Sequence, residues 1–182
     1  CSHCKRIILA NHSPTIFYDD VTKRDNSSAP HCDLYVSGFP CQPFSISGKQ
    51  LCLEDDRGQI GFYCIDYIRS KRPTHFVLEN VKNFTTCQNG AVFSKFLEEL
   101  NKIEGYHIHY KVLNTSDYGI PQSRNRLYIV GTQKEDFVFP PPIPRLSLTD
   151  FIDRSDTTVT DTSHTRCDRA NICQGASQFD RC

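Results

Sequence analysis

Apolar positions along the chain recur with a helical period in three segments. Apolar residues spaced three and four apart predict helices within residues 4–11, 60–68 and 92–103. Each of these segments is followed within a few residues by a proline or a glycine, which ends a helical pattern. We therefore expect three helices, the last of which has the cleanest apolar face.

Other segments have the pattern of strands. Residues 106–112 alternate between apolar and polar side chains, as in a half-buried strand, and short apolar runs at 33–37, 74–79 and 127–130 predict three more. Strands that alternate with helices favour an α/β sheet with crossover helices. The last two strands are separated by a loop alone, so we expect them to form an antiparallel edge on a mostly parallel sheet.

The character of the chain changes after Gly131. Prolines crowd residues 140–144, and from 153 onward Asp, Thr, Ser, Arg and Cys dominate. A segment with so few apolar residues is expected to be irregular. The pattern predicts one folded domain over residues 1–131, followed at 132–182 by a linker and a second region.

Charge and composition narrow the possible partners. Lys and Arg number 21, as do Asp and Glu, so any attraction to a polyanion has to come from local basic clusters. No apolar run approaches the roughly 20 residues of a membrane helix, and the N-terminus lacks the apolar core of a signal peptide. We expect an intracellular protein with no membrane partner.

Ten cysteines leave a secreted disulfide scaffold as an alternative. The length of the chain and its clear helix and strand patterns favour reduced thiols inside a cell. Cys1 and Cys4 resemble half of a zinc site, but no second pair has the spacing of a standard zinc knuckle, so no metal is expected.

Candidate chemistry follows two of the predicted strands. Ligands bind α/β sheets outside the carboxyl ends of the strands. The strand at 33–37 leads to Cys41, which lies between Pro40 and Pro43, and the strand at 74–78 leads to Glu79. A thiol and a carboxyl group are thus expected at one cleft. An ordinary buried cysteine and a strand-end carboxylate with a neighbouring partner remain the alternatives.

Arg124 and Arg126 form a second candidate cluster. One residue separates them, so in a strand-like segment both side chains point the same way. Two guanidinium groups on one face are suited to a phosphate or to a base that carries a carbonyl group. A solvated pair of arginines at the start of a strand is the alternative.

Several short motifs together resemble the cytosine-C5 DNA methyltransferases. Residues 37–45 (SGFPCQPFS) resemble the Pro-Cys-Gln loop of that family, 76–81 (FVLENV) its Glu-Asn-Val motif, and 122–126 (QSRNR) its Gln-x-Arg-x-Arg motif. Residues 56–60 (DRGQI) and 114–122 (NTSDYGIPQ) are also similar to family segments. The motifs occur in the family's order and cover residues 20–131.

The resemblance implies a role for each matching residue. Cys41 would be the nucleophile that attacks C6 of cytosine, and Glu79 would protonate or hydrogen-bond N3. Arg126 would hold the O2 carbonyl, and Arg124 would help to order the site. Gln42, in the Pro-Cys-Gln motif, and Asn80, in the Glu-Asn-Val motif, would support the loop.

The resemblance also implies S-adenosylmethionine as the cofactor. Asp20 and Val21 would lie near its adenine, Ile60 would pack on the adenine, and Pro40 would lie near the methionine portion. Gly61 stands where the family usually has a large apolar residue. The partner implied is double-stranded DNA with a flipped cytosine, in the nucleus if the source is eukaryotic and in the cytoplasm otherwise.

The fold implied is a partial Rossmann-like methyltransferase fold, with part of the catalytic domain at 1–131 and a linker with the beginning of the target-recognition region at 132–182. We expect a fragment that lacks the first strand, with its glycine loop, and the C-terminal motif that closes the cofactor pocket. Two alternatives stay open. One is the branch that methylates tRNA, whose Cys-Phe-Thr stretch is not found after the arginine motif. The other is a non-catalytic nucleic-acid-binding relic of the fold.

Overall fold

A computed structural model describes residues 2–42, 44, 56–134 and 136–151. The tail from 153 onward, which is predicted to be irregular, and Pro43, which is expected to stiffen the Cys41 loop, lie outside these residues. The chain divides into two compact units, one made of Cys1–Asp19 with Ser147–Cys182 and the other of Asp20–Leu146. The expected domain boundary after residue 131 stays a prediction.

The first unit contains the predicted N-terminal helix. Helix α1 spans Ser2–Asn11. Lys5 in this helix pairs with Asp19, its Nζ lying 2.9 Å from Oδ1, and the same ammonium group lies 5.0 Å from the centre of the Phe17 ring. Between α1 and Asp19, where the sequence indicates a short extended stretch at 15–18, Thr15 and Ile16 form a bend. A short 3-10 turn, Leu148–Asp150, belongs to the same unit.

The second unit is built on a four-stranded sheet. Its strands are β1 (Leu34–Gly38), β2 (His75–Val81), β3 (His107–Asn114) and β4 (Asn125–Thr132), in the order β1-β2-β4-β3. β1 runs parallel to β2, and β4 runs antiparallel to both β2 and β3. Three strands therefore point one way and β4 points the other, which confirms the mixed α/β sheet.

The antiparallel pairing of the last two strands is also confirmed, but β4 is not at the edge. It is inserted between β2 and β3, so that β3 forms the border of the sheet. This order brings the start of β4 against the end of β2, with Arg126 opposite Val81. The two candidate motifs on these strands consequently meet at one edge.

Two helices pack on one face of the sheet. Helix α2 spans Ile60–Lys71 and helix α3 spans Ala91–Asn101. Alternate strand residues face them, and a single buried cluster unites both layers: Phe76, Leu78, Leu127 and Ile129 from the strands, and Ile65, Ile68, Phe96 and Leu100 from the helices. Burial of these apolar side chains supplies most of the driving force for folding.

The cysteines are not uniform. Cys4, Cys32, Cys41 and Cys64 carry free thiols, whereas Cys87 is disulfide-bonded, which a fully reduced chain would not contain. Across the ranges that the structure describes, no helix is both long enough and apolar enough for a membrane span. In the same ranges, no three His, Cys, Asp or Glu side chains are grouped so as to hold a metal ion.

Candidate active site

The ends of β1 and β2 bring Glu79 over the backbone that leads to Cys41. The parallel register sets Gly38 beside Glu79. A Cβ at Gly38 would lie 3.3 Å from Oε2 of Glu79, so the absence of a side chain there leaves room for the carboxylate. Cys41 follows three positions later, as a partly buried free thiol. The register thus leads the backbone of Cys41 past Glu79, and their convergence on one cleft stays a prediction.

Glu79 forms an ion pair with Arg126. The Arg126 Nε lies 2.9 Å from Oε1 of Glu79, with 18% of the arginine side chain and 33% of the glutamate side chain exposed. Arg126 also donates from Nη1 to the carbonyl of Asn125, at 2.8 Å. These contacts hold a guanidinium group and a carboxylate together at the rim of the sheet. There they present a donor and an acceptor side by side to a ligand.

Arg124 lies at the same rim but is held mainly through its backbone. Its N–H donates to Oδ1 of Asn114, at 3.0 Å, and its carbonyl accepts from the N–H of Thr115, at 3.1 Å. Its side chain is exposed and borders a cleft of about 200 Å³. The cleft is lined by Leu113, Asn114, Thr115, Tyr118, Ile120, Arg124, Arg126, Tyr128 and Pro140. Both predicted arginines therefore reach one concave surface.

The loop that carries Cys41 is anchored on both sides of the thiol. Phe39 and Phe44 bury their rings in the core, and the N–H of Phe44 donates to the carbonyl of Cys41, at 2.9 Å. Asn80, which is buried, donates from Nδ2 to the carbonyl of Phe39, at 3.2 Å, and accepts from the N–H of Val81. β2 is thereby tied directly to the loop. Gln42 lies partly buried next to Cys41.

The residues proposed for the cofactor lie at three places. Asp20 caps the 3-10 turn Val21–Lys23, and this turn contacts α2, whose first residue is the half-buried Ile60. Oδ1 of Asp20 accepts from the hydroxyl and the N–H of Thr22, and these hydrogen bonds lower the pKa of the exposed carboxyl group. Pro40 lies partly buried directly before Cys41.

Gly61 departs from the family pattern, and the aromatic packing explains the departure. A Cβ at Gly61 would lie 2.8 Å from Cε2 of Phe96 and 3.2 Å from Cε2 of Phe39. The two rings are stacked with their centres 5.5 Å apart. A large side chain at this position would displace Phe39, which immediately precedes Pro40 and Cys41. The space usually filled from α2 is filled here by rings from the loop and α3.

Sequence reasoning missed Asn83 and Thr86. Asn83 donates from Nδ2 to the carbonyl of Phe44, at 2.7 Å, and Thr86 donates from its hydroxyl to Oδ1 of Asn83, at 3.1 Å. Asn83 follows the Glu79-Asn80-Val81 motif closely enough to have been noticed. Its partner, however, depends on a contact between distant segments that no local pattern reports.

Comparison with known proteins identifies a family over nearly the whole chain. The family model described as "C-5 cytosine-specific DNA methylase" matches residues 2–174. The type II methyltransferase M.NgoBI of Neisseria gonorrhoeae is 46% identical over 142 residues, covering 78% of this chain and 44% of that protein. M.HaeII of Haemophilus aegyptius is 46% identical over 127 residues, covering 69% of this chain and 40% of that protein.

Solved structures show the same fold at lower sequence identity. The structure described as "S. pombe Dnmt2 methyltransferase" has a TM-score of 0.57 at 23% identity, covering 76% of this chain and 43% of that one. The Entamoeba histolytica methyltransferase EhMeth has a TM-score of 0.51 at 22% identity, covering 67% and 39%. The chain thus spans less than half the length of each of these four proteins.

Proposed function

Because the chain belongs to the C-5 cytosine-specific DNA methylase family, we propose that it transfers a methyl group to C5 of cytosine in DNA through a covalent bond between Cys41 and C6. The observation that carries the proposal is the Glu79–Arg126 ion pair at the sheet edge that also receives the Cys41 loop. The chain spans less than half the length of these relatives, and the activity is therefore proposed for the protein as a whole.

The residues at this edge have the chemistry that such a reaction needs. Cytosine is a poor electrophile, and addition of a thiolate at C6 moves the electron pair of the C5–C6 double bond onto C5. In its protonated form Glu79 would give a proton or a hydrogen bond to N3, and Arg126 would donate to O2, so that negative charge does not build up on the ring. Removal of the C5 proton after methylation would expel Cys41 and restore the double bond.

S-adenosylmethionine, when bound, supplies the methyl group. The exposed carboxylate of Asp20 offers an acceptor for an amino group, and the half-buried Ile60 offers an apolar surface for a ring, which together suit an adenine. Val21 would line the same position from the turn, and Pro40 would place the other end of the cofactor near Cys41. One carboxylate and three apolar side chains are therefore a combination that suits S-adenosylmethionine.

The proposed partner is double-stranded DNA from which the target cytosine has been flipped. Methyltransferases that act on a base have to remove it from the stack, because its reactive carbons are covered within the duplex. With a net charge of zero for the chain, exposed local cations such as Arg124 would meet the phosphate groups. We place the protein inside the cell, where DNA is. The two curated relatives described above are bacterial and lend no support to the nuclear alternative.

Covalent trapping tests the proposal. DNA that contains 5-fluorocytosine cannot lose its C5 substituent as a proton, so the thioether to the enzyme should persist in denaturant. We expect such an adduct with the intact protein and its loss in Cys41→Ala. Cys32→Ala is the matched control, because Cys32 is also a partly buried free thiol. An adduct that survives Cys41→Ala, or faster trapping on fluorinated tRNA than on DNA, would contradict the proposal.

A further inference from the structure

Two asparagines hold the two ends of the Cys41 loop. Asn80 donates to the carbonyl of Phe39, before the thiol, and Asn83 donates to the carbonyl of Phe44, after it. The second hydrogen bond is the shorter, at 2.7 Å compared with 3.2 Å. The loop is therefore attached from both sides to β2 and the turn that follows it.

The amide of Asn83 has a defined orientation. The hydroxyl of Thr86 donates to Oδ1 of Asn83, at 3.1 Å, and the N–H of Thr86 donates to the Asn83 carbonyl at the same distance. An oxygen that accepts from Thr86 leaves the amide nitrogen directed at Phe44. The Phe44 carbonyl can only accept, so it selects the orientation in which Nδ2 of Asn83 faces the loop. The single hydroxyl proton of Thr86 is shared between Oδ1 of Asn83 and the Asn83 carbonyl, which lie 3.1 Å and 3.2 Å away.

Phe44 connects Asn83 to the backbone of Cys41 through hydrogen bonds. Its N–H donates to the carbonyl of Cys41, at 2.9 Å. Its ring is fully buried and meets the ring of Phe84 edge-on, with the ring centres 4.6 Å apart. A residue fixed by its ring, its N–H and its carbonyl has little freedom to move. The backbone of the adjacent Cys41 shares that constraint.

We propose that Asn83 is a positioning residue for the reaction, holding the downstream arm of the loop so that the Cys41 thiol stays at the edge that carries Glu79. The effect on the reaction rate rests on the proposed function. The positioning of the Cys41 backbone by Asn83 does not depend on the proposed function. Misplacement of a reacting group by about 1 Å can lower a rate about 100-fold.

The test compares two reactions of the same thiol. Asn83→Asp keeps the size of the side chain but removes the Nδ2 donor. We expect it to slow trapping on fluorinated DNA about 10-fold or more, with unchanged DNA affinity. We also expect faster alkylation of Cys41 by iodoacetamide, because a released loop exposes the thiol. Cys64, a buried free thiol, should stay protected in both proteins.

Three further variants separate positioning from general loosening. Thr86→Val, which lacks the hydroxyl, should resemble Asn83→Asp in part, whereas Thr86→Ser should behave as wild type. Asn101→Ala, at the exposed end of α3, is the matched control. Wild-type trapping and alkylation rates in Asn83→Asp would overturn the inference, and so would equal deprotection of Cys64. If the wild type forms no adduct at all, the proposed function fails, and the alkylation rates still decide whether Asn83 holds the loop.

Discussion

Gly131 is the position at which a single methyl group should disturb the sheet most. It lies on β4, which runs between β2 and β3, and it is paired with Phe76 on β2 and Ile108 on β3. A Cβ at Gly131 would lie 2.1 Å from both Cε1 and Cζ of Phe76, where ordinary contact begins at 3.4 Å. The Phe76 ring is completely buried and packs against Tyr106, with the ring centres 5.3 Å apart. The ring therefore cannot simply swing aside.

The expected loss of stability in Gly131→Ala follows from these distances. Overpacking a core typically costs about 1–3 kcal/mol, and an overlap of more than 1 Å places this variant at about 3 kcal/mol. Restriction of the unfolded chain by alanine offsets about 0.4–1 kcal/mol. The net loss of about 2–2.6 kcal/mol corresponds to a decrease of about 4–10 °C in Tm for a chain of this size.

Thermal and urea denaturation, followed by circular dichroism, measure this loss. Phe76→Leu removes the ring that Gly131→Ala would overlap, so the double variant should be more stable than the sum of the two single losses predicts, by about 1 kcal/mol or more. Strictly additive losses, or a Gly131→Ala variant as stable as the wild type, would refute the packing argument. The spacing of β2 and β4 matters for function because these strands carry Glu79 and Arg126.

Other variants test the core, the ion pair and the response to acid. Phe84→Ala removes a buried ring in contact with four others and should lower the free energy of unfolding by about 3–5 kcal/mol, measured by urea denaturation. Glu79→Gln keeps the shape of the side chain but removes the charge opposite Arg126 and the proton donor, so trapping on fluorinated DNA should slow about 100-fold or more. Hydrogen bonds from Ser27 lower the pKa of Asp25 from 3.8 to about 2, so its contribution to stability is present above pH 3.8 and is lost as the pH falls through about 2. Asp25→Asn should flatten the fall of Tm in that interval, and an unchanged acid profile would contradict this.

The helices and strands of the second unit could be predicted from the sequence, because their periods are local. The apolar pattern at 60–68 became helix α2, Ile60–Lys71, and the short run at 74–79 became β2, His75–Val81. Their ends differ by a few residues because capping contacts, such as the left-handed Arg72 after α2, extend an element beyond its apolar pattern.

The motifs named the candidate residues but did not predict which of them touch. Glu79 and Arg126 belong to segments far apart in the chain, and their ion pair exists because β4 lies between β2 and β3. Strand order depends on which faces pack together over the whole domain, and no local periodicity contains that information. The sequence therefore identified each candidate side chain, but it did not predict the contacts between these side chains.

The residue types, their periods and the order of the motifs were sufficient by themselves for the α/β class, the family and the candidates Cys41 and Glu79. Only the tertiary structure decided that Gly61 makes room for Phe39 and Phe96, and that Asn83 reaches the carbonyl of Phe44. Both contacts join residues that are distant in the sequence and that the sheet and its crossover helices bring together. Close packing requires each atom to avoid or to meet a neighbour that is distant in sequence, so such contacts are properties of the folded domain.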